Sequence, residues 1–206
     1  MIEPYYDEGG ITLYHADCHE ILPTIVEADL VLTDPPYGIG YQDRTGRRVV
    51  GDNEPFDPAH LLEYGRCVIW GAENFAHLLP PSRGWIVWSK VQDQKLADVS
   101  VSNVELAWSN IAKTPQIYNH YWRDWIRRAS ERGARLHPAM KPVSLMKWIL
   151  QGWTEPGDLI LDPYMGAGPV AQACHEMDRR YIGIEIEESY CQLVEERLAQ
   201  GTLALR

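Results

Sequence analysis

The sequence predicts an α/β fold built on a doubly wound, mostly parallel sheet. Strand and helix signals alternate along nearly the whole chain, which is the βαβ rhythm of a parallel sheet. Several strands are continuously apolar, as strands covered on both faces are. The expected strands are ITLYHA, ADLVLT, CVIW, WIVWS, VELAWS, LILD and RYIGIE, with helices near residues 18–26, 57–64, 72–79, 142–152 and 169–177 and at the C-terminal end.

Length and composition indicate one domain spanning residues 1–206, because 206 residues with 45% hydrophobic content suffice for a single core. A formal net charge of −10 argues against a protein that binds nucleic acid through a broad basic face. The four cysteines form no CxxC pair, which predicts reduced thiols and a cytoplasmic protein. No apolar run approaches the ~20 residues of a membrane span, so no membrane partner is expected.

Local basic loops are therefore the candidates for contact with an anionic partner. Residues 38–56 and 110–136 are poor in regular structure signals, and the second segment interleaves arginines with tryptophans. A solvated charged face is the alternative interpretation of both segments. The candidate nucleic-acid contacts are Arg44, Arg47, Arg48, Arg123, Arg127 and Arg128.

An acid, two prolines and an aromatic residue follow the apolar strand at residues 30–33. Pro35 ends the strand because proline has no N–H to donate. The tetrad therefore lies at the carboxyl end of a central strand, where open α/β sheets place their ligands.

A second glycine-containing turn stands near the C-terminal end, in LDPYMGAGPV. Gly166 and Gly168 permit a tight turn, and Pro169 suits the first position of a helix. The next strand ends at Glu185, about twenty residues after the turn, the offset at which an acid accepts hydrogen bonds from ribose hydroxyls. Asp162 would attract a cationic ligand and repel a diphosphate, so a methyl donor fits better than a dinucleotide.

Taken in order, TDPPYG (33–38), LHPAMKP (136–142) and LDPYMGAG (161–168), with YIGIE (181–185), resemble the amino-group DNA methyltransferases that use S-adenosylmethionine. The resemblance covers nearly the entire chain. It implies a Rossmann-like fold of the class I methyltransferase type with an antiparallel edge strand. Because the tetrad precedes the cofactor loop, the order is similar to that of the circularly permuted β group.

The resemblance also implies roles for individual residues. Asp34, Pro35, Pro36 and Tyr37 match the catalytic motif that holds a flipped-out base. The positions that match the cofactor site are Asp17, Asp34, His137, Lys141, Pro142, Asp162, Pro163, Tyr164, Gly166, Gly168 and Glu185. The segment between the last sheet strand and HPAMKP is too short for a separate target-recognition domain. The missing surface would come from the two loops or from the second copy in a homodimer.

The tetrad suits methylation of adenine N6 in DNA. The amine would donate hydrogen bonds to Asp34 and to the Pro35 carbonyl, which localises the nitrogen lone pair, and the extruded base would stack on Tyr37. Cytosine N4 offers the same hydrogen bonds and remains an alternative. RNA as the substrate, and a cofactor- or DNA-binding module without turnover, are further alternatives.

Two other chemistries are not expected. HADCH at residues 15–19 offers metal-ligand atoms, but no second cluster of suitable spacing completes a four-coordinate site, so no metal is predicted. Carbon-5 cytosine methylation needs a cysteine nucleophile, and no cysteine here follows a proline.

Overall fold

The computed structural model describes residues 2–42, 46, 48–91, 102–121 and 140–204, with side chains to residue 199, and the chain divides into two compact units. The first unit combines residues 1–35 with 139–206, and the second comprises residues 36–138. The single domain expected from the length stays a prediction for the protein as a whole.

Nine strands and five α-helices lie in the described residues. The strands are β1 (Tyr6–Glu8), β2 (Ile11–His15), β3 (Leu30–Thr33), β4 (Cys67–Trp70), β5 (Gly84–Ser89), β6 (Val104–Ser109), β7 (Gln116–Asn119), β8 (Leu159–Asp162) and β9 (Arg180–Glu185). The helices are α1 (Cys18–Ile21), α2 (Ala59–Leu62), α3 (Val143–Trp153), α4 (Pro169–Glu176) and α5 (Glu188–Ala204).

The first unit holds its strands in the order β1-β2-β9-β8-β3. Strands β2, β9, β8 and β3 run parallel, and β1 lies antiparallel to β2 at the edge. The register pairs His15 with Glu185 and Asp162 with Gly183, so the carboxyl ends of β2, β9 and β8 lie side by side. This is the edge at which a parallel sheet collects polar side chains for ligands.

The core of the first unit explains why its strands are continuously apolar. All four residues of β3 are buried, and Ile160 and Leu161 of β8 are fully inaccessible. Helix α4 packs against α3, α5 and β9 and contributes Val170, Ala171 and Cys174 to the core. The predicted strands and long helices of this unit are therefore confirmed.

The second unit holds a mixed sheet in the order β4-β6-β5-β7. Strand β6 is antiparallel to both β4 and β5, whereas β7 runs parallel to β5. Trp70, Trp88 and Trp108 are at most 2% exposed, so these tryptophans form core and not base-stacking surface. Because β6 is antiparallel to β4, Trp108 pairs with Ile69, and the carboxyl end of β6 lies beside the amino end of β4.

Three features differ from the sequence predictions. Strand β7 lies within the segment 110–136 that was expected to be an inserted loop, because a polar edge strand with alternating half-buried and exposed residues gives a weak signal. The expected helix at 72–79 consists of two 3-10 turns, after Gly71 takes a left-handed φ of 68°. Helix α1 stops at Ile21 because Pro23 ends the α-helical hydrogen bonding in favour of a 3-10 turn.

Within the described part of the chain, none of the helices combines the length and apolar character needed to cross a membrane.

Candidate functional site

Asp34 stands directly after β3 and pairs with a buried lysine. The Lys141 ammonium donates to Asp34 Oδ2, and the two side chains are 2% and 25% exposed. Lys141 comes from the LHPAMKP segment, 107 residues along the chain. The sequence predicted both residues for the site but not this ion pair, because nothing in the spacing tells which side chains will meet.

The ion pair does not seal the carboxylate away from a ligand. A quarter of the Asp34 side chain stays exposed, and its partner belongs to the segment expected at the methionine end of the cofactor. Burial of Asp34 away from the site would have favoured a module without turnover. Next in the tetrad, Pro35 is buried, whereas Pro36 and Tyr37 are half-buried.

The glycine turn between β8 and α4 is held by close packing and by backbone hydrogen bonds. Gly166 and Gly168 have φ values of 52° and 69°, in the left-handed region that favours glycine. A Cβ on Gly168 would lie 2.5 Å from Val194 of α5, so a larger residue would push this helix away. Pro169 then begins α4, as expected from its fixed φ.

Glu185 ties the end of β9 to the glycine turn. Its Oε2 accepts from the Gly166 N–H at 2.8 Å and its Oε1 accepts from the Glu187 N–H at 2.8 Å. Burial raises the pKa of this carboxyl, while the backbone N–H groups act in the opposite direction. A carboxylate accepts about four hydrogen bonds, so ribose hydroxyls can still bind to it.

Asp162 lies beneath the turn and is 2% exposed. Its Oδ1 accepts from the Thr33 hydroxyl at 2.7 Å and from the Tyr164 N–H at 3.3 Å, and its Oδ2 accepts from the Tyr181 hydroxyl at 3.2 Å. These bonds join β3, β8 and β9 below the site. Burial raises the pKa of the carboxyl from 3.8 to about 7, against the opposing effect of the three hydrogen bonds. Its direct contact with a cofactor stays a prediction.

We expect Asp162→Asn to remove a pH dependence of stability. A carboxyl with a raised folded pKa contributes stability that is fully present below about pH 4 and is lost as the pH rises through about 7. The free energy of unfolding of the unmodified protein should therefore fall by the order of a few kcal/mol between about pH 5 and about pH 8, relative to the variant. Urea unfolding at both pH values measures this difference. Asp7→Asn, at an exposed position, should keep the pH dependence, and an equally steep dependence in Asp162→Asn would contradict the assignment.

Asp17 completes the row of acids at the carboxyl ends of the strands in the first unit. It is exposed and caps α1 by accepting from the His19 N–H at 2.9 Å. Because β2 pairs with β9, Asp17 follows the strand next to the one that ends at Glu185. The resemblance assigned Asp17 to the cofactor site, and the register places it just after the strand beside β9.

In the second unit, a residue that the sequence interpretation overlooked holds the chain after the tetrad. Asp52 is 3% exposed and accepts hydrogen bonds from the N–H groups of Tyr37, Gly38 and Tyr41. The ring of Tyr37 lies against Gly71, where a Cβ would overlap it. No periodic pattern could have identified Asp52, because its partners are 11 to 15 residues away in a segment without regular structure.

Of the six arginines predicted to contact DNA, Arg48 alone lies in the described part of the chain. Arg48 is exposed and forms an antiparallel bridge with Gln42. The predicted residues outside the described ranges are Arg44, Arg47, Arg123, Arg127, Arg128 and His137.

The cysteines lack the character of nucleophiles. All four are buried, and burial raises the pKa of Cys67 and of Cys191 to about 12. Burial also raises the pKa of Cys18 and of Cys174. Because the thiolate is the reactive form, these environments agree with chemistry that needs no cysteine.

Comparison with known proteins gives consistent matches over most of the chain. The family model N6_N4_Mtase, described as DNA methylase, matches residues 81–196, more than half of the chain. The Escherichia coli (strain K12) protein YubD is 29% identical over 92% of this chain and 91% of its own length. The type II methyltransferase M2.LlaDCHI of Lactococcus lactis subsp. cremoris is 23% identical over 98% of this chain and 94% of its own.

A solved structure extends the likeness to the fold. The crystal structure of the M1.HpyAVI-SAM complex superposes with a TM-score of 0.61 at 26% identity, covering 91% of this chain and 99% of the other. The mixed, mostly parallel sheet with its helices is thus the fold of class I methyltransferases that use S-adenosylmethionine.

Proposed function

Because the chain belongs to the N6/N4 DNA methylase family and is an S-adenosylmethionine-dependent DNA methyltransferase, we propose that its target is the N6 amine of adenine, flipped out of the duplex. We further propose that it belongs to the β group, since the tetrad at residues 34–37 precedes the cofactor loop at 162–168. Its similarity to a type II methyltransferase makes restriction-modification the setting that we propose for it.

The observation that carries the proposal of an exocyclic amine as the target is the position of Asp34. The carboxylate stands at the end of a buried strand, is held by the buried Lys141 ammonium and keeps a quarter of its side chain exposed. An exocyclic amine is a poor nucleophile, because its lone pair is delocalised into the ring. Hydrogen bonds from the amine to Asp34 and to the Pro35 carbonyl would localise that lone pair.

The tetrad leaves the amine few competing interactions. Neither proline has an N–H, and both fix φ on either side of the accepting carbonyl. Tyr37 offers a flat ring on which the extruded base can stack, which is worth about 1–3 kcal/mol. This contribution offsets part of the few kcal/mol that unpairing and unstacking the base cost.

The chemistry of the first unit fits the cofactor. S-adenosylmethionine supplies a methyl group on a positively charged sulfonium when it is bound. Asp17 and Glu185 present carboxylate oxygens at the ends of neighbouring strands, and these oxygens suit hydroxyl and amine donors. We propose that Gly166, Gly168, Pro163 and Tyr164 line the turn beside it, with Asp162 beneath, and that His137, Lys141 and Pro142 border the methionine end.

We propose that the DNA is held by local basic loops. Arg44, Arg47 and Arg48 in residues 38–56 and Arg123, Arg127 and Arg128 in residues 110–136 would bind phosphates. We further propose a homodimer, in which the second copy would supply more DNA surface. We propose a cytoplasmic enzyme that needs neither a metal ion nor a membrane.

Cytosine N4 is the second candidate target, because its amine makes the same two hydrogen bonds and the family includes both amines by name. The experiment is to incubate the protein with methyl-labelled S-adenosylmethionine and unmodified duplex DNA, and to identify the labelled nucleoside by mass. We expect N6-methyladenine, lost in Asp34→Ala. Labelled N4-methylcytosine without methyladenine would contradict the choice of base, and label on RNA alone would contradict DNA as the substrate.

A further inference from the structure

Asp52 organises the five residues that follow Pro36. Its Oδ1 accepts from the N–H groups of Tyr37 at 2.6 Å and Gly38 at 2.8 Å, and its Oδ2 accepts from the Tyr41 N–H at 2.5 Å. The Gly40 N–H donates to the Asp52 carbonyl oxygen at 2.6 Å. Asp52 therefore accepts hydrogen bonds from four backbone N–H groups within residues 37–41, a segment that has no helix or strand of its own.

Burial makes these bonds strong determinants of the local geometry. Asp52 is only 3% exposed. Hydrogen bonds to a charged acceptor are roughly twice as strong as those between neutral groups. Gly38 takes a φ of 75°, and a Cβ there would lie 2.7 Å from the Glu54 carbonyl oxygen. The chain after the tetrad thus has little freedom to take another path.

The Tyr37 side chain is fixed by a second, independent contact. Its ring lies against Gly71, which follows β4 and has a φ of 68°. Any side chain at Gly71 would overlap the ring. Asp52 therefore fixes the backbone of Tyr37, and Gly71 leaves room for the ring.

We propose that Asp52 is a positioning residue that sets the orientation of Tyr37 for stacking on the target base. This inference rests on the proposed function, because Tyr37 has this task only if a base is extruded. Asp52 acts through the backbone N–H groups of Tyr37, Gly38 and Tyr41. The competing explanation is that Asp52 only helps the second unit to fold.

Asp52→Asn tests the proposal with little change in volume. An amide has one acceptor oxygen, so its NH₂ group would face a backbone N–H that now donates to a carboxylate oxygen. We expect kcat/KM for DNA to fall about 5- to 150-fold, the range covered by loss of one base stack. The dissociation constant for S-adenosylmethionine should change less than about twofold, because the predicted cofactor turn lies in the other unit. Asp57→Asn, at an exposed position of the same unit where the carboxylate accepts from the Ala59 N–H, is the matched control and should leave both quantities unchanged.

A double-mutant cycle separates positioning from folding. If Asp52 acts through Tyr37, then Asp52→Asn should cost less than about threefold in a Tyr37→Ala background, because the stack is already lost. DNA with 2-aminopurine at the target position adds a readout that does not depend on turnover. The flipped probe should be bright with Asp52→Asn and quenched by stacking in the unmodified protein.

Three outcomes would overturn the proposal: a full cost of Asp52→Asn in the Tyr37→Ala background, no cost in the unmodified background, or identical 2-aminopurine signals. If the asparagine variant does not bind S-adenosylmethionine, Asp52→Glu, which keeps the charge and adds one methylene, takes its place in the same cycle. An unmodified protein that labels no DNA would contradict the proposed function itself. An active protein that is indifferent to Asp52 would contradict only this inference.

Discussion

Asp34→Asn is expected to lower the single-turnover rate of methyl transfer by about three orders of magnitude, within the range measured for the loss of one well-placed polar or proton-transfer group. The ion pair explains why an amide cannot substitute. Lys141 donates to one oxygen of Asp34, so the asparagine oxygen would turn toward the ammonium. Its NH₂ would then face the amine of the base, where two donors meet and no hydrogen bond forms.

Rapid-quench measurement with labelled cofactor and saturating DNA gives the single-turnover rate. Binding of S-adenosylmethionine, measured by calorimetry, should stay within about threefold, because one carboxylate is lost from a site that retains Asp17 and Glu185. Asp7→Asn, exposed on β1 in the same unit, is the matched control. A variant of Asp34 that retains more than about a tenth of the rate would contradict the assignment of this residue to the reaction.

Glu185→Gln is expected to raise the dissociation constant for S-adenosylmethionine by about 10- to 100-fold, the effect of losing charge-assisted hydrogen bonds. Both oxygens of Glu185 already accept a backbone N–H, from Gly166 and from Glu187. A glutamine must direct its NH₂ toward one of these donors, which disturbs the glycine turn, and it offers the ribose fewer acceptors.

Calorimetric titration of the variant with S-adenosylmethionine measures this change without turnover. Glu188→Gln, exposed at the start of α5, carries the same substitution three residues away and should bind the cofactor normally. A melting temperature that drops without a change in affinity would show that Glu185 supports the turn only. The ribose role would then have to be assigned to another residue.

Most of the first unit could be predicted from the sequence because its signals are local. LVLT and LILD are largely apolar, buried strands. Pro35 follows the first strand and the glycine turn follows the second, and each changes the course of the backbone. The order of the strands places their polar ends along one edge. Asp34 was therefore predicted from its place after a strand and Glu185 from its spacing after the glycine turn, whereas Asp17 came from the resemblance to the amino-group methyltransferases.

The residues that the sequence did not reveal make contacts between distant segments. Lys141 was expected in the cofactor site, but its pairing with Asp34 joins positions 107 residues apart. Asp52 sits in a segment that composition identifies only as an arginine-containing loop. Its role depends on donors that the chain presents only after it has turned at Gly38 and Gly40.

The direction of the strands in the second unit also could not be predicted from the local sequence. VELAWS has the composition of a strand whether it runs parallel or antiparallel, and β7 is too polar to be distinguished from a loop. The sequence by itself determined the class of fold, the tetrad, the glycine turn and the acid that follows it, because propensity, burial pattern and spacing are properties of neighbouring residues. Only the tertiary structure decided that Lys141 pairs with Asp34, how Asp162 is buried and which backbone N–H groups donate to Asp52. Those contacts depend on how segments far apart in the chain are aligned.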